Sequence, residues 1–218
     1  MYPEIHNAKL VSITPNAEEQ IVYMARVSNP SNQNNLETAP KLIRYLIKAG
    51  HWSPFEMASL QVEINTTRAV AAQCLRHRSA SFQEFSQRYS SVDQLPEIGL
   101  PHLRTQDKKN KQASHDNLDP QVRDRFKLQI ERFYKESLDL YQSMLDAGIA
   151  KECARSVLPL GTPTRMYMSM NIRTAIHFCQ VRCDKATQLE HRMIAEDVRD
   201  IIKAELPNVY LAAFELSE

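Results

Sequence analysis

Residues 75–89 read Leu-Arg-His-Arg-Ser-Ala-Ser-Phe-Gln-Glu-Phe-Ser-Gln-Arg-Tyr and form the densest polar cluster of the chain. Its first basic residues, Arg76, His77 and Arg78, are consecutive, and neighbours on a helix point about 100° apart. All three can therefore surround one small ligand only if a helix ends there. The residues that follow lack a helical stripe of apolar side chains, which indicates loop and strand.

An extended segment would place Glu84, Ser86 and Arg88 on one face, because side chains alternate along a strand. Arginine suits phosphate oxygens, serine adds a hydroxyl group, and glutamate accepts hydrogen bonds from a ribose or a base. A helix end followed by such a strand can bind both a phosphate and a heterocycle. An isolated Arg-His-Arg is more often a solvated helix end, so the identification depends on the wider pattern.

The rest of the chain combines many helices with a few separated strands. Apolar spacing and the positions of proline and glycine predict helices over 15–28, 36–49, 67–76, 120–147, 149–157, 171–183 and 186–205. Alternating apolar residues predict strands over 59–64 and 164–170. Residues 101–118 are polar without periodicity, so we expect an exposed loop. This pattern favours an α+β fold over a regular βαβ series.

Composition narrows the function classes. The 218 residues include 43% hydrophobic and 24% charged residues, which is typical of a soluble globular chain, and we expect a single domain over 1–218. The net charge of +1 gives no overall field that would recruit nucleic acid or a membrane. Four glycines are too few for the usual dinucleotide and P-loop motifs. Scattered cysteines, no signal peptide and no membrane-length apolar run predict a cytoplasmic protein.

The string Arg76-His77-Arg78, followed after seven residues by Ser86, resembles the signature of the flavin-dependent thymidylate synthases, the ThyX family. Three further segments are similar to motifs of that family and occur in the same order: Gly-His-Trp-Ser-Pro-Phe-Glu at 50–56, Ala-Arg-Ser-Val-Leu-Pro-Leu at 154–160, and Asn-Ile-Arg-Thr-Ala-Ile-His-Phe-Cys-Gln-Val-Arg at 171–182. The resemblance therefore covers nearly the whole chain. It implies a ThyX-like fold, with a small antiparallel or mixed sheet flanked by long helices.

The resemblance also implies two overlapping sets of binding residues. The positions that match flavin adenine dinucleotide (FAD) contacts are Ser53, Arg76, His77, Arg78, Glu84, Asn171, Arg173 and His177. The positions that match deoxyuridylate (dUMP) contacts are Gln73, Arg76, Glu84, Ser86, Gln87, Arg88, Arg155 and Arg182. Arg182 is implied as the catalytic residue that helps to ionise N3 of the pyrimidine, and His51 as a further active-site residue near the flavin.

The activity implied by the resemblance is reductive methylation of dUMP to dTMP. The carbon donor would be 5,10-methylenetetrahydrofolate, and tightly bound FAD, reduced by NADPH, would supply the hydride. A permanently cationic arginine at N3 would stabilise the pyrimidine anion and make C5 nucleophilic without a covalent enzyme adduct. The family also implies a homotetramer whose active sites lie between subunits.

Several residues have alternative interpretations. Ser86 could be a nucleophile, but no neighbouring base is evident, so nucleotide binding is favoured. Cys183 is more typical of a small buried hydrophobe than of a catalytic thiol. We expect His191 on a solvated helix face. His177, Cys179, Cys183 and His191 match no standard zinc spacing, so no metal site is expected.

Two other functions compete with the enzyme hypothesis. The first is a nucleic-acid-binding module that uses Arg76, Arg78 and Arg88 on phosphates. The near-zero net charge and the lack of an aromatic and basic stripe argue against it. The second is a metal hydrolase, which a metal assay on the purified protein would decide.

Overall fold

The computed structural model describes residues 5–215, and its centre is a four-stranded antiparallel sheet with the order β1-β2-β6-β3. The strands in chain order are β1 (Asn7–Ile13), β2 (Ser59–Thr67), β3 (Ser81–Glu84), β4 (Thr105–Gln106), β5 (Ser114–His115) and β6 (Pro163–Asn171). The short strands β4 and β5 form a separate antiparallel hairpin. The structure therefore confirms the predicted α+β class.

The two central strands build the core by strict alternation. Every second side chain of β2 and β6 is buried, and the register pairs Leu60 with Met170 and Val62 with Met168. All four of these side chains are at most 2% exposed. Alternation of this kind is expected of a sheet with one face on the core. The predicted strands at 59–64 and 164–170 are therefore confirmed, and both are longer than predicted.

Helices cover the sheet and extend beyond it. They are α1 (Ala17–Ala25), α2 (Ala39–Lys48), α3 (Arg68–Cys74), α4 (Pro120–Asp146), α5 (Lys151–Ala154), α6 (Ile172–Arg182), α7 (Leu189–Glu205) and α8 (Pro207–Tyr210). The single helix predicted at 149–157 is instead α5 followed by a 3-10 turn at Arg155–Val157. The core contains buried side chains of α6 and α7, such as Phe178 and Ile194. Among the described residues, no helix has the length and apolarity needed to cross a membrane.

Two loop predictions need correction. The expected common strand face of Glu84, Ser86 and Arg88 is wrong beyond Glu84, where β3 ends. The chain then turns, because the amides of Tyr89 and Ser90 both donate to the carbonyl oxygen of Ser86, at 3.0 and 2.9 Å. The segment 101–118 is largely exposed, as predicted, but it contains the β4–β5 hairpin rather than only loop.

The longest helix, α4, is confirmed as a helix but packs little against the rest of the chain. Only two of its 27 residues, Ser137 and Tyr141, are buried. Apolar residues of this helix such as Phe126 and Phe133 are 42% and 56% exposed. The helix therefore presents apolar surface to its surroundings.

Candidate active site

The N-terminal half of α6 forms one wall of an open cavity of about 470 Å³. The opposite wall comes from the 3-10 turn at Ser53–Glu56 and its preceding residue. Residues that line the cavity include Trp52, Glu56, Ser79, Asn171, Arg173 and His177. The structure thus brings together the last three, all implied FAD contacts, with the segment at 50–56.

Local hydrogen bonds fix both walls of this cavity. Asn171 caps α6, because its Oδ1 accepts a hydrogen bond from the amide of Thr174 at 2.8 Å. The guanidinium of Arg173 contacts Glu56 Oε1 at 2.6 Å across the cavity. These two side chains remain 51% and 36% exposed, so their charges are accessible to a ligand.

Two implied site residues near the cavity are exposed. Ser53 begins the 3-10 turn, and Pro54 follows it as an ordinary helix-start residue. His51 meets the ring of Tyr45 edge-on, with the ring centroids 5.8 Å apart. His51 therefore stands beside the cavity wall, packed on α2.

The helix α3 ends immediately before the Arg-His-Arg sequence. The amides of Arg76 and His77 donate to the carbonyl oxygens of Gln73 and Cys74, at 3.2 and 3.0 Å, in a tight final turn. A helix therefore ends here, which is the condition under which three consecutive basic side chains can surround one small ligand. Arg76 and Arg78 are exposed, whereas His77 is only 9% exposed. Two of the three basic side chains therefore face solvent, and the third packs inside the protein.

His77 points into the space between α3 and α6. Its ring centroid lies 5.8 Å from that of His177 and 5.3 Å from that of Phe178. Ser79 Oγ is 3.3 Å from His77 Nε2. Burial lowers the pKa of His77, and the charges of His177 and Arg182 lower it further. A neutral imidazole is therefore favoured at this position.

The implied nucleotide contacts begin at the end of β3. Glu84 Oε1 accepts hydrogen bonds from Arg68, at 2.5 Å, and from Thr164, at 2.9 Å. Among residues 5–215, Glu84 Oε2 has no hydrogen-bond partner and Gln87 Nε2 is buried without one. Ser86, between them in the chain, is exposed. Unpaired polar atoms at this edge suit a polar ligand, because buried polar groups are normally hydrogen-bonded.

Helix α5 is joined to the turn that follows β3. Arg88 Nε contacts Glu152 Oε2 at 3.1 Å, and Lys151 Nζ donates to the carbonyl oxygen of Tyr89 at 3.0 Å. Arg155 follows α5 directly. The fold thus connects the segments that carry Arg88 and Arg155, two implied nucleotide contacts that are 67 residues apart in sequence.

Arg182 is the last residue of α6 and lies near the C-terminal end of α3. Its Nε is buried and has no hydrogen-bond partner among the described residues. Its charge acts on Cys74 and His77 of the α3 end. Burial nevertheless raises the pKa of Cys74 to about 12, so this thiol stays protonated. Arg182 is therefore a partly buried positive charge whose Nε is shielded from solvent.

His191 differs from its prediction. It is fully buried in α7, packed 5.8 Å from the ring of Phe178, and not on a solvated face. Neither ring nitrogen has a partner among the described residues. Burial lowers the pKa of His191 to about 4, and the charges of Arg182 and His77 add to the effect. The signal was present, since His191 precedes the buried Ile194 by three residues, one turn of the same helix face.

Sequence reasoning also missed residues whose contacts appear only in three dimensions. Trp52, Glu56, Ser79 and Gln180 line the cavity but were not predicted as site residues. The motif at 50–56 was available as a signal for the first two. No comparable pattern marked Gln180.

Comparison with known proteins agrees with this arrangement. The family model described as thymidylate synthase complementing protein matches residues 9–208. A probable flavin-dependent thymidylate synthase of Paramecium bursaria Chlorella virus 1 is 46% identical, over 93% of this chain and 96% of its own. A flavin-dependent thymidylate synthase of a Synechocystis species is 48% identical, over 89% and 88% of the two chains.

A solved structure is also similar over most of the chain. It is the UMP/dUMP methylase PolB from Streptomyces cacaoi bound with 5-Br dUMP, with a TM-score of 0.82 and 28% identity. The similarity covers 94% of this chain and 93% of that one. From the family match and these relatives, the chain belongs to the thymidylate synthase complementing protein family, that of the flavin-dependent thymidylate synthases.

Proposed function

We propose that the protein is a flavin-dependent thymidylate synthase that converts dUMP to dTMP. The observation that carries this proposal is the cavity where Asn171, Arg173 and His177 meet Trp52 and Glu56, in a chain of this family. Two relatives are named flavin-dependent thymidylate synthases, and the similar solved structure is a UMP/dUMP methylase. These names support a nucleotide substrate and a flavin cofactor.

The chemistry of the cavity suits a flavin dinucleotide. Arg173 offers a guanidinium for phosphate oxygens, and Trp52 offers an aromatic surface. Asn171 and His177 add polar groups, with Ser53, Arg76, His77, Arg78 and Glu84 as the further proposed contacts. Bound FAD would supply a hydride, a task that proteins delegate to cofactors. The protein residues supply binding and orientation.

The proposed reaction balances with two co-substrates. The methylene carbon of 5,10-methylenetetrahydrofolate would form a bond to C5 of the pyrimidine, its two bonds to folate nitrogens would break, and the C5 proton would leave. Reduction of that carbon to a methyl group would take a hydride, whose two electrons NADPH would provide through bound FAD, and tetrahydrofolate would depart. This requirement is the reason for proposing both NADPH and the folate.

Arg182 is the proposed catalytic residue. Its guanidinium is cationic, and its Nε is shielded from solvent. A fixed cation at N3 stabilises the pyrimidine anion more strongly in a desolvated site than in water. Electron density at C5 rises as a result. No enzyme nucleophile is needed for this step, which favours binding as the role of Ser86.

The remaining proposed dUMP contacts form a basic and polar edge. Arg88 and Arg155 can pair with phosphate oxygens, since the fold connects their segments through α5. Ser86, Gln87 and Glu84 offer uncharged and acceptor groups on the same turn. Gln73 and Arg76 at the end of α3 complete the proposed set.

The exposed face of α4 supports a homotetramer as the proposed assembly. Phe126, Phe133 and Leu140, which are spaced seven residues apart and so lie on one side of the helix, are all at least 42% exposed in the single chain. Apolar surface of this extent on one helix marks an interaction site. Copies of the chain would cover it and would bring more than one subunit to each active site. We propose the cytoplasm as the location of this assembly.

The alternative of a nucleic-acid-binding module is not favoured. Its phosphate ligands would be Arg76, Arg78 and Arg88, but the net charge of +1 provides no overall field that would draw a nucleic acid to them. The family relatives also point to nucleotide chemistry rather than duplex binding.

A direct assay tests the proposed function. The purified protein should carry a flavin absorbance band and form dTMP from dUMP when NADPH and methylenetetrahydrofolate are present. Control reactions contain no added FAD and leave out dUMP, NADPH or methylenetetrahydrofolate in turn. Each omission should stop dTMP formation. A flavin-free protein that takes up no added FAD, or a holoenzyme that forms no dTMP, would refute the proposal.

A further inference from the structure

A chain of hydrogen bonds leads from the largely buried Arg104–Glu190 ion pair, through solvent-exposed bonds of Gln188, to Gln73. The Gln73 Nε2 donates to Gln188 Oε1 at 2.6 Å, and Gln188 Nε2 donates to Glu190 Oε2 at 2.9 Å. Glu190 accepts from both terminal nitrogens of Arg104, at 2.7 and 3.0 Å. Arg104 is held in turn by Ser114 Oγ of the β4–β5 hairpin, at 2.9 Å.

The inner end of this chain is a stable ion pair. The side chains of Arg104 and Glu190 are each only 12% exposed and meet in a bidentate geometry. Burial of the carboxyl group opposes ionisation, but hydrogen bonds from Arg104 and Gln188 outweigh it and lower the pKa of Glu190 to about 2. Glu190 is therefore a carboxylate, which can only accept hydrogen bonds, at neutral pH.

The ionised carboxylate sets the direction of every bond that follows. Gln188 turns its amide NH2 group toward Glu190, and its carbonyl oxygen faces Gln73. Gln73 turns its own NH2 group toward Gln188. Its carbonyl oxygen is left facing away, and the structure gives this oxygen no hydrogen-bond partner among residues 5–215.

We propose that Arg104, Glu190 and Gln188 are positioning residues that hold the carbonyl oxygen of Gln73 toward the bound nucleotide. There it accepts a hydrogen bond from a donor of the nucleotide. This inference rests on the proposed function, in which Gln73 contacts dUMP. Because Arg182 is proposed to act at N3 of the base, the donor of dUMP that remains for Gln73 is the 3′-hydroxyl of the sugar. If the Gln73 amide were reversed, its NH2 group would face the nucleotide and could pair only with hydrogen-bond acceptors.

Binding of altered nucleotides to the FAD-loaded enzyme tests the inference. The dissociation constant is measured for dUMP, for N3-methyl-dUMP and for 2′,3′-dideoxyuridine monophosphate. The wild type should bind 2′,3′-dideoxyuridine monophosphate about tenfold more weakly than dUMP, because that analogue lacks the hydroxyl donor that meets Gln73. In Glu190→Gln, whose amide can donate as well as accept, that penalty should shrink toward onefold while dUMP itself binds about tenfold more weakly.

A second variant and two controls protect the result from a folding defect. Gln188→Met removes the relay but keeps the Arg104–Glu190 pair, and it should give the same loss of discrimination. Arg104→Lys keeps the charge and should retain most of the wild-type penalty. Asp116→Asn breaks an ion pair with Arg123 near the same hairpin and should change none of the three dissociation constants. Flavin content and circular dichroism verify folding of each variant.

The outcomes separate the two proposals. A holoenzyme that does not bind dUMP overturns the proposed function and this inference with it. A wild type that binds dUMP, with analogue penalties equal to those of Glu190→Gln and Gln188→Met, overturns the inference alone. Additive effects of Gln73→Ala and Gln188→Met on dUMP affinity would also overturn it, because residues acting through one relay are not additive.

Discussion

Arg182 carries a permanent positive charge whose Nε is closed off from solvent, and charge in such a place acts strongly on a ligand. We predict that Arg182→Ala keeps most of its FAD but loses turnover by at least about a hundredfold, the scale of one electrostatic catalytic group. Flavin absorbance and dTMP formation measure the two quantities separately. Near-normal turnover in this variant would remove Arg182 from the proposed mechanism.

Ser86 is exposed on a turn, beside the binding groups of the proposed nucleotide edge. We predict that Ser86→Ala raises the Michaelis constant for dUMP about tenfold, as expected for one lost hydrogen bond, and keeps measurable turnover at saturation. Steady-state kinetics at varied dUMP give both constants. Complete loss of turnover with unchanged dUMP binding would support a nucleophilic serine instead.

Burial of His191 makes the stability of the folded chain depend on pH. Its pKa is about 4 in the folded chain, against an ordinary value of 6.5. As pH falls from about 6.5 to 4, the unfolded chain takes up a proton that the folded chain refuses, so the folded state loses stability. The loss amounts to at most roughly 3 kcal/mol and ends below about pH 4.

We therefore predict that His191→Leu flattens the pH dependence of the unfolding midpoint between pH 7 and pH 4.5. Urea unfolding at several pH values measures it. The exposed His51 provides the control, since His51→Leu should retain the wild-type slope. Equal slopes for His191→Leu and the wild type would show that this imidazole is not the sensitive group.

At the scale of elements, α6 combines folding with binding at its first residue. Asn171 caps the helix through the Thr174 amide and also lines the cavity. We predict that Asn171→Ala lowers the free energy of unfolding by about 1 kcal/mol and weakens FAD binding. Asn171→Asp keeps the cap, so its unfolding midpoint should stay near the wild-type value. Its added negative charge should still weaken FAD binding, as titration with FAD would reveal. Equal FAD affinity in all three proteins would refute this dual role.

The elements also show why only part of the fold was predictable. Alternation identified β2 and β6 because both strands bury every second residue. In β1 only Ala8 is buried, so its sequence carries almost no alternating signal. The end of β3 depends on two backbone hydrogen bonds to Ser86, which no side-chain pattern encodes.

The site, like the fold, was predictable from the sequence only in part. Asn171, Arg173 and His177 lie at one helix, and the resemblance to the family motif at 171–182 implied all three as contacts of one cofactor. The relay from Arg104 to Gln73 joins residues up to 115 positions apart, and no local pattern could predict it. The relay forms only because α7 packs against α3.

At the scale of the whole molecule, the exposed face of α4 is the feature that a single chain does not explain. We predict that Phe133→Glu, which places a charge on this face, converts the protein from a species near four times 25.1 kDa to smaller ones. Light scattering after size exclusion measures the mass. Phe133→Leu retains an apolar side chain and should keep the larger mass. Because the proposed active sites lie between subunits, flavin content should fall together with mass in Phe133→Glu. A variant that keeps both would place the subunit contacts away from this helix face.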